Sequence, residues 1–164
     1  MSAAPSDKSE KKKQRADKSE KLGEVLDFMR LLWAVDHALQ SMSKRMEASL
    51  GVTGPQRLVI RIVGRFPGIS AGELASVLHI HPSTLTGILK RLESRGIIGR
   101  KPDPDDARRA LFELSGRGRE IDGLKVGTVE AIVRRSLAKL PPRKVAAARD
   151  VLGHLALALL EEKE

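Results

Sequence analysis

The 164-residue chain has no cysteine, so disulfide staples and thiolate zinc sites are excluded. No apolar run reaches the roughly 18 residues of a membrane span. The N-terminus is polar where a secretory leader would be apolar, so the expectation is a cytoplasmic protein without membrane contact. Catalytic signatures are missing as well: there is no nucleophile elbow, no HExxH helix and no cofactor motif, and the glycines around Ser115 lack the lysine and spacing of a phosphate loop. A non-enzyme with no catalytic residues, cofactor or metal is expected. Acidic residues are in deficit, 21 against 30 Lys and Arg, leaving a net charge of +9. That balance favours a polyanionic partner without separating DNA from RNA or an anionic membrane surface.

The position of the charge says more than its sum. Residues 82–119 carry nine Lys and Arg against five Asp and Glu, whereas residues 120–164 carry eight against seven. Residues 1–21 hold seven cations and four anions and no large apolar residue after Met1. Such a composition cannot offset the entropy of ordering, so 1–21 reads as a disordered basic arm, a solvated tail or one that grazes phosphates.

The stretch PSTLTGILKRLESRGIIGRKPDPDDARRALFEL, from Pro82 to Leu114, joins an amphipathic helix to a basic hairpin. Leu85, Ile88, Leu89 and Leu92 recur at i, i+3, i+4 and i+7, which places them on one buried stripe and turns Ser83, Thr84, Thr86, Lys90 and Arg91 outward. Gly96 suits the position just past the helix end, and Ile97-Ile98 begins a strand. The segment from Arg100 to Asp106 reads as a turn, because its two prolines remove backbone donors, and Ala110 to Leu114 is the returning strand. Helix, strand, cationic tip and strand in that order describe a winged helix.

Through STLTGILKRLESRGII and DPDDARRALFELS the chain resembles the MarR family of bacterial winged-helix transcription regulators, over nearly everything from about Leu22 onward. The resemblance implies that Asp106 orients the wing and that Arg108 reaches a minor groove, with Arg109 beside it. It also implies a homodimer on double-stranded DNA. One departure is Gly87, where family recognition helices often carry arginine, so a candidate base-reading side chain is absent. The missing cysteines exclude the peroxide sensing of some relatives. A helix in the major groove needs hydrogen-bond donors opposite its core stripe, and Ser83, Thr84, Thr86, Lys90 and Arg91 supply them. Arg100, Lys101 and Arg109 add attraction to phosphates.

The expected architecture is mainly α with a small β wing, a winged helix-turn-helix at 51–114 flanked by dimerisation helices at 22–50 and 115–164. The first helix carries apolar residues from Leu22 to Met46 over about 40 Å. Gly51 ends it, and Thr53 with Gln56, then Ser70 with Glu73, read as capping boxes. Leu58, Val59, Ile62, Val63 and Phe66 are the expected buried face of the second helix, and Leu74, Val77 and Leu78 that of the third. Beyond the wing, Ser115 caps a helix expected to run to Pro141-Pro142, with Gly123, Gly127 and Ala131 on a stripe of close helix packing. The last helix, from about Arg143, is apolar nearly all round at Val151–Leu160, which calls for cover by a partner chain.

Histidines 79 and 81 lack the converging donors of a zinc site, and His81 reads instead as a cap or a phosphate contact. His37 and His154 fall on the helices assigned to the dimer. MarR-like proteins commonly bind small anionic or aromatic effectors between the dimerisation helices and the DNA-binding lobe. Met29, Trp33 and His37, with Leu58 or Ile62, could line such a crevice, although a Met and Trp stripe is more often core. Two rival readings stand beside the regulator: an architectural protein indifferent to sequence, and a winged-helix module for protein partners.

Overall fold

The computed structural model describes residues 22–106 and 108–161; the basic arm at 1–21 lies outside the described residues. Helix α1 (Glu24–Leu50) leads to α2 (Gly54–Arg65), β1 (Ile69–Ser70), α3 (Ala71–Leu78), α4 (Pro82–Ser94), β2 (Ile98–Pro102) and β3 (Ala110–Leu114). Helices α5 (Gly116–Gly123), α6 (Val129–Leu137) and α7 (Pro142–Glu161) complete it, so the chain is mainly α with a small β wing, as expected. It forms two compact units, one ending at Ser41 and the other beginning at Met42.

In the first unit, α1 carries Val25, Leu26, Met29, Leu31, Trp33 and Val35 exposed. The core belongs to the second unit. There Val59, Ile60 and Val63 of α2, Leu74 of α3, Leu85, Leu89 and Leu92 of α4, and Phe112 of β3 pack into one cluster. Each such side chain contributes about 1.5–3 kcal/mol by leaving water.

Capping sets where these helices begin. Thr53 and Gln56 form both halves of a capping box, as do Ser70 and Glu73, and each such cap is worth about 1 kcal/mol. The Ser115 hydroxyl accepts the Gly118 N–H at 3.0 Å. At Gly118 an added Cβ would collide with the Ile97 carbonyl oxygen, so only glycine lets α5 press against the root of the hairpin.

Four expectations need correction. The buried stripe of α2 runs through Gln56, Arg57, Val59, Ile60 and Val63, while Leu58 and Phe66 are exposed; two polar residues took the inward positions because they find partners there. In α3, Val77 is exposed and Ala75 is buried in its place. The helix expected from Ser115 to Leu140 is two helices, broken after Gly123, with Gly127 at φ +75° in the connection. Gly123 and Gly127 therefore share no helical stripe with Ala131. Lastly, Arg100, Lys101 and Pro102 lie in β2, not in a turn. The sheet order is β1-β3-β2, so β2 is an edge strand, where the missing N–H of Pro102 is tolerated. The two-residue β1, which pairs Ile69 with Phe112 and Ser70 with Leu111, is too short to show as a period.

Candidate nucleic-acid interface

The turn before α4 is built by two histidines. His79 closes α3 at φ +49°, and its N–H and that of Ile80 return to the Ala75–Ser76 carbonyls. His81 then opens α4: its Nδ1 accepts the Ser83 N–H at 3.2 Å and lies 2.7 Å from the Ser83 hydroxyl. Pro82 follows at the first helical position, where its missing donor costs nothing. His81 is a cap here.

On α4, Leu85, Leu89 and Leu92 are buried and Ile88 packs against the same core. The opposite face, Ser83, Thr84, Thr86, Lys90 and Arg91, is exposed throughout. Two of its hydroxyls are already engaged, Ser83 with His81 and Thr86 with the Pro82 carbonyl at 2.9 Å. Thr84, Lys90 and Arg91 have no side-chain partner among the described residues. Gly87 lies between them with nothing within 4 Å of where a Cβ would stand.

The wing pairs β2 with β3 from Ile98↔Leu114 to Pro102↔Ala110. Its four cations are not equivalent. Lys101 bonds Glu113 diagonally across the hairpin at 2.7 Å. Arg109 is bracketed by Asp103 at 3.6 Å and Glu73 at 3.7 Å, which ties the wing base to α3. Arg108 reaches only a long contact with Asp106, 3.4 Å, and its side chain is 93% exposed. Asp106 bonds chiefly to the Arg108 backbone N–H, at 3.0 Å, so it shapes the turn more than it holds the guanidinium. Arg100 is exposed and has no partner among the described residues.

Between α4 and the wing runs an open cleft of about 590 Å³, lined by Thr86, Lys90, Arg100, Arg108 and Arg109 but also by Glu73 and Glu93. The Ser70 hydroxyl and backbone N–H, aided by the nearby Arg109 charge, outweigh desolvation and hold the Glu73 carboxyl below its ordinary range. Glu73 therefore stays charged, bound to its cap and to Arg109. Sequence reasoning did not foresee these two carboxylates in the cleft; Glu73 was visible as a capping residue, but nothing local indicated that it would face the wing.

Of the residues assigned to an effector crevice, Met29 and Trp33 line a shallow cleft with Leu32 and Asp36 in the first unit. In the second unit Ile62 packs partly against the core and Leu58 is exposed.

A capped helix with an exposed donor face, joined to a three-stranded sheet with an arginine-tipped hairpin, defines a winged helix-turn-helix. Residues 52–110 match the family model described as MarR family. A HTH-type transcriptional repressor of Mycobacterium tuberculosis is 29% identical over 110 residues, covering 67% of this chain and 79% of the relative. The crystal structure of MarR superposes with a TM-score of 0.59 at 27% identity, covering 82% and 92% of the two chains. The S. aureus MepR–DNA complex superposes with a TM-score of 0.67 at 16% identity, covering 80% and 97%. Residues 52–110 are thus similar to the MarR family, and the Mycobacterium tuberculosis relative is named as a transcriptional repressor. Among the described residues no helix is long and apolar enough to cross a membrane.

Proposed function

We propose that the chain is a cytoplasmic homodimeric repressor that binds a pseudo-palindromic operator, one α4 in each of two major grooves and one wing on each flanking minor groove. The observation that carries this reading is the continuous exposed surface from Ser83, Thr84, Thr86, Lys90 and Arg91 on α4 to Arg108 at the wing tip. Arg108 has the role of minor-groove contact, because it is the wing cation with the greatest freedom to leave its carboxylate. Lys90, Arg91 and Arg100 attract phosphates, and Lys101 and Arg109 do so only by sharing charge with Glu113, Asp103 and Glu73. Dimerisation is supported by the apolar residues left exposed on α1, α6 and α7; α6 and α7 bury no residue in the single chain. A second copy covers these faces, and two-fold symmetry then sets two half-sites about one helical turn apart.

Repression by competition with polymerase, relieved by a small anionic or aromatic effector near Met29, Trp33 and His37, completes the proposal. The test is binding to a library of genomic fragments at about 150 mM salt with excess competitor DNA. Enrichment of a palindrome at a specificity ratio of roughly 10³ or more supports it. Uniform weak binding favours the architectural reading, which the bare surface at Gly87 supports, and no binding favours a protein partner.

A further inference from the structure

The most completely buried charge in the described residues is neither on α4 nor on the wing. Arg57 of α2 has a side chain only 2% exposed, and its partners all come from the stretch that leads out of the winged domain. Its guanidinium donates to the carbonyls of Ile121, Asp122 (3.2 Å) and Leu124 (2.7 Å) at the end of α5. Its Nε also donates to Glu130 in the first turn of α6 at 2.8 Å, with Nη2 2.7 Å from the same carboxylate oxygen. The last carbonyls of a helix have no partners within it and lie at its negative end, so a cation there is doubly suited. Four residues further along α2, Arg61 donates to the Asp122 carboxylate at 2.7 Å and to its carbonyl at 3.1 Å. In the next turn, a Cβ on Gly64 would stand 2.9 Å from Leu114 Cδ1 and 3.0 Å from Asp122 Oδ2. Successive turns of α2 thus grip the end of α5, and Arg57 spans the bend between α5 and α6.

We infer that Arg57 is a positioning residue for operator binding: by bolting the end of α5 and Glu130 to α2, it fixes the direction in which α6 leaves the winged domain and so the separation of the two α4 helices in the dimer. The inference rests on the homodimer reading. A fold-stabilising role alone would be indifferent to operator geometry: losing the Arg57 contacts would lower the melting temperature and leave the preference between spacings unchanged. A joint that sets spacing is not indifferent, because each base pair inserted between half-sites moves them apart by about 3.4 Å along the axis.

The test uses the full chain as Glu130→Gln and as the double variant Arg57→Met/Glu130→Leu, with sedimentation and melting curves to establish a folded dimer. Binding is measured on the enriched palindrome, on versions with one base pair added or removed at its centre, and on a single half-site. The expected result is half-site affinity within about twofold of the parent. Affinity for the natural spacing falls about tenfold, and discrimination between spacings flattens. A parental spacing profile in folded, dimeric variants overturns the inference, as does an equal loss on half-site and palindrome, which marks general damage. A parent protein that is monomeric or has no preferred spacing fails the homodimer reading itself and takes the inference with it.

Discussion

Gly87→Ala tests the reading of α4 with two measurements of opposite sign. Gly87 is interior to α4 and exposed, and an added Cβ meets no atom within 4 Å. Alanine therefore gains its helix propensity without a clash, about 0.8–1 kcal/mol. For a chain of this size that corresponds to a rise in Tm of about 2–4 °C. Operator binding should move the other way. Gly87 lies one turn from Ser83 and Thr84 and one turn from Lys90 and Arg91, at the centre of the proposed contact face, and Ser83, Thr84 and Thr86 around it are short. A helix surface so thin lets the backbone lie close to base edges, and a methyl there holds it off. The loss of one base contact is worth about 1–3 kcal/mol, so operator affinity should fall about tenfold or more, while phosphate contacts from Lys90 and Arg91 keep binding to competitor DNA nearly constant. Circular dichroism melting and fluorescence anisotropy on operator and competitor duplexes read the two effects. An unchanged or lower Tm would refute the exposed-interior argument, and full operator affinity in a stabilised variant would refute close approach at Gly87.

Arg108→Ala should leave folding and dimerisation intact, weaken operator binding and reduce the slope of log affinity against log salt by about 0.9, whereas an unchanged slope would remove Arg108 from the contact. Leu152→Asp adds a charge at a position exposed in the single chain, so it should be harmless to the protomer yet shift sedimentation toward monomer; an intact dimer would place the interface elsewhere. Ser70→Ala removes one half of a capping box and should cost about 1 kcal/mol in denaturant unfolding. At Glu130, burial raises the carboxyl, but the Arg57 hydrogen bond, a backbone N–H and the Arg57 charge outweigh it and hold the group below the ordinary glutamate value of 4.5. A depressed folded value means stability that is present above about 4.5 and lost as pH falls through the lower folded value. Glu130→Gln should therefore flatten the acid limb of the stability profile, and an identical limb would show that the pair does not contribute to it.

The winged helix was legible because its signals are local. Pro82 at the helix start, the stripe Leu85-Ile88-Leu89-Leu92, Gly96 at φ +62° and the two capping boxes each depend on residues within a turn or two. The break at Gly123 was not legible: Ile121, Leu124, Ile132 and Val133 keep a helical rhythm across it, and the tertiary contacts of Arg57 and Arg61, not propensity, stabilise the end of α5. Arg57 itself was invisible for a related reason. Periodicity assigns a charged residue to solvent, and the carbonyls and carboxylate that allow this one inside lie 64 to 73 residues away. The pairing of wing cations escaped in the same way, since Glu73 meets Arg109 only after α3 and the hairpin have folded together.

The apolar helices raise a different question, because their pattern calls for cover and a single chain provides little. Met46 is the only residue of α1 that is buried, and Leu152, Leu157 and Leu159 of α7 remain exposed by 51%, 48% and 63%. Hydrophobic periodicity reports how much surface must leave water, not which chain will cover it. The winged domain closes its core with its own side chains and could present α4 and the wing alone. What it could not do alone is hold two such faces at one spacing. On the homodimer reading, that requires α6 and α7 to meet a second copy, with a firm connection from α6 back to α2. Arg57 stands at that connection, which is why a residue that touches no nucleic acid is expected to change which operators are bound.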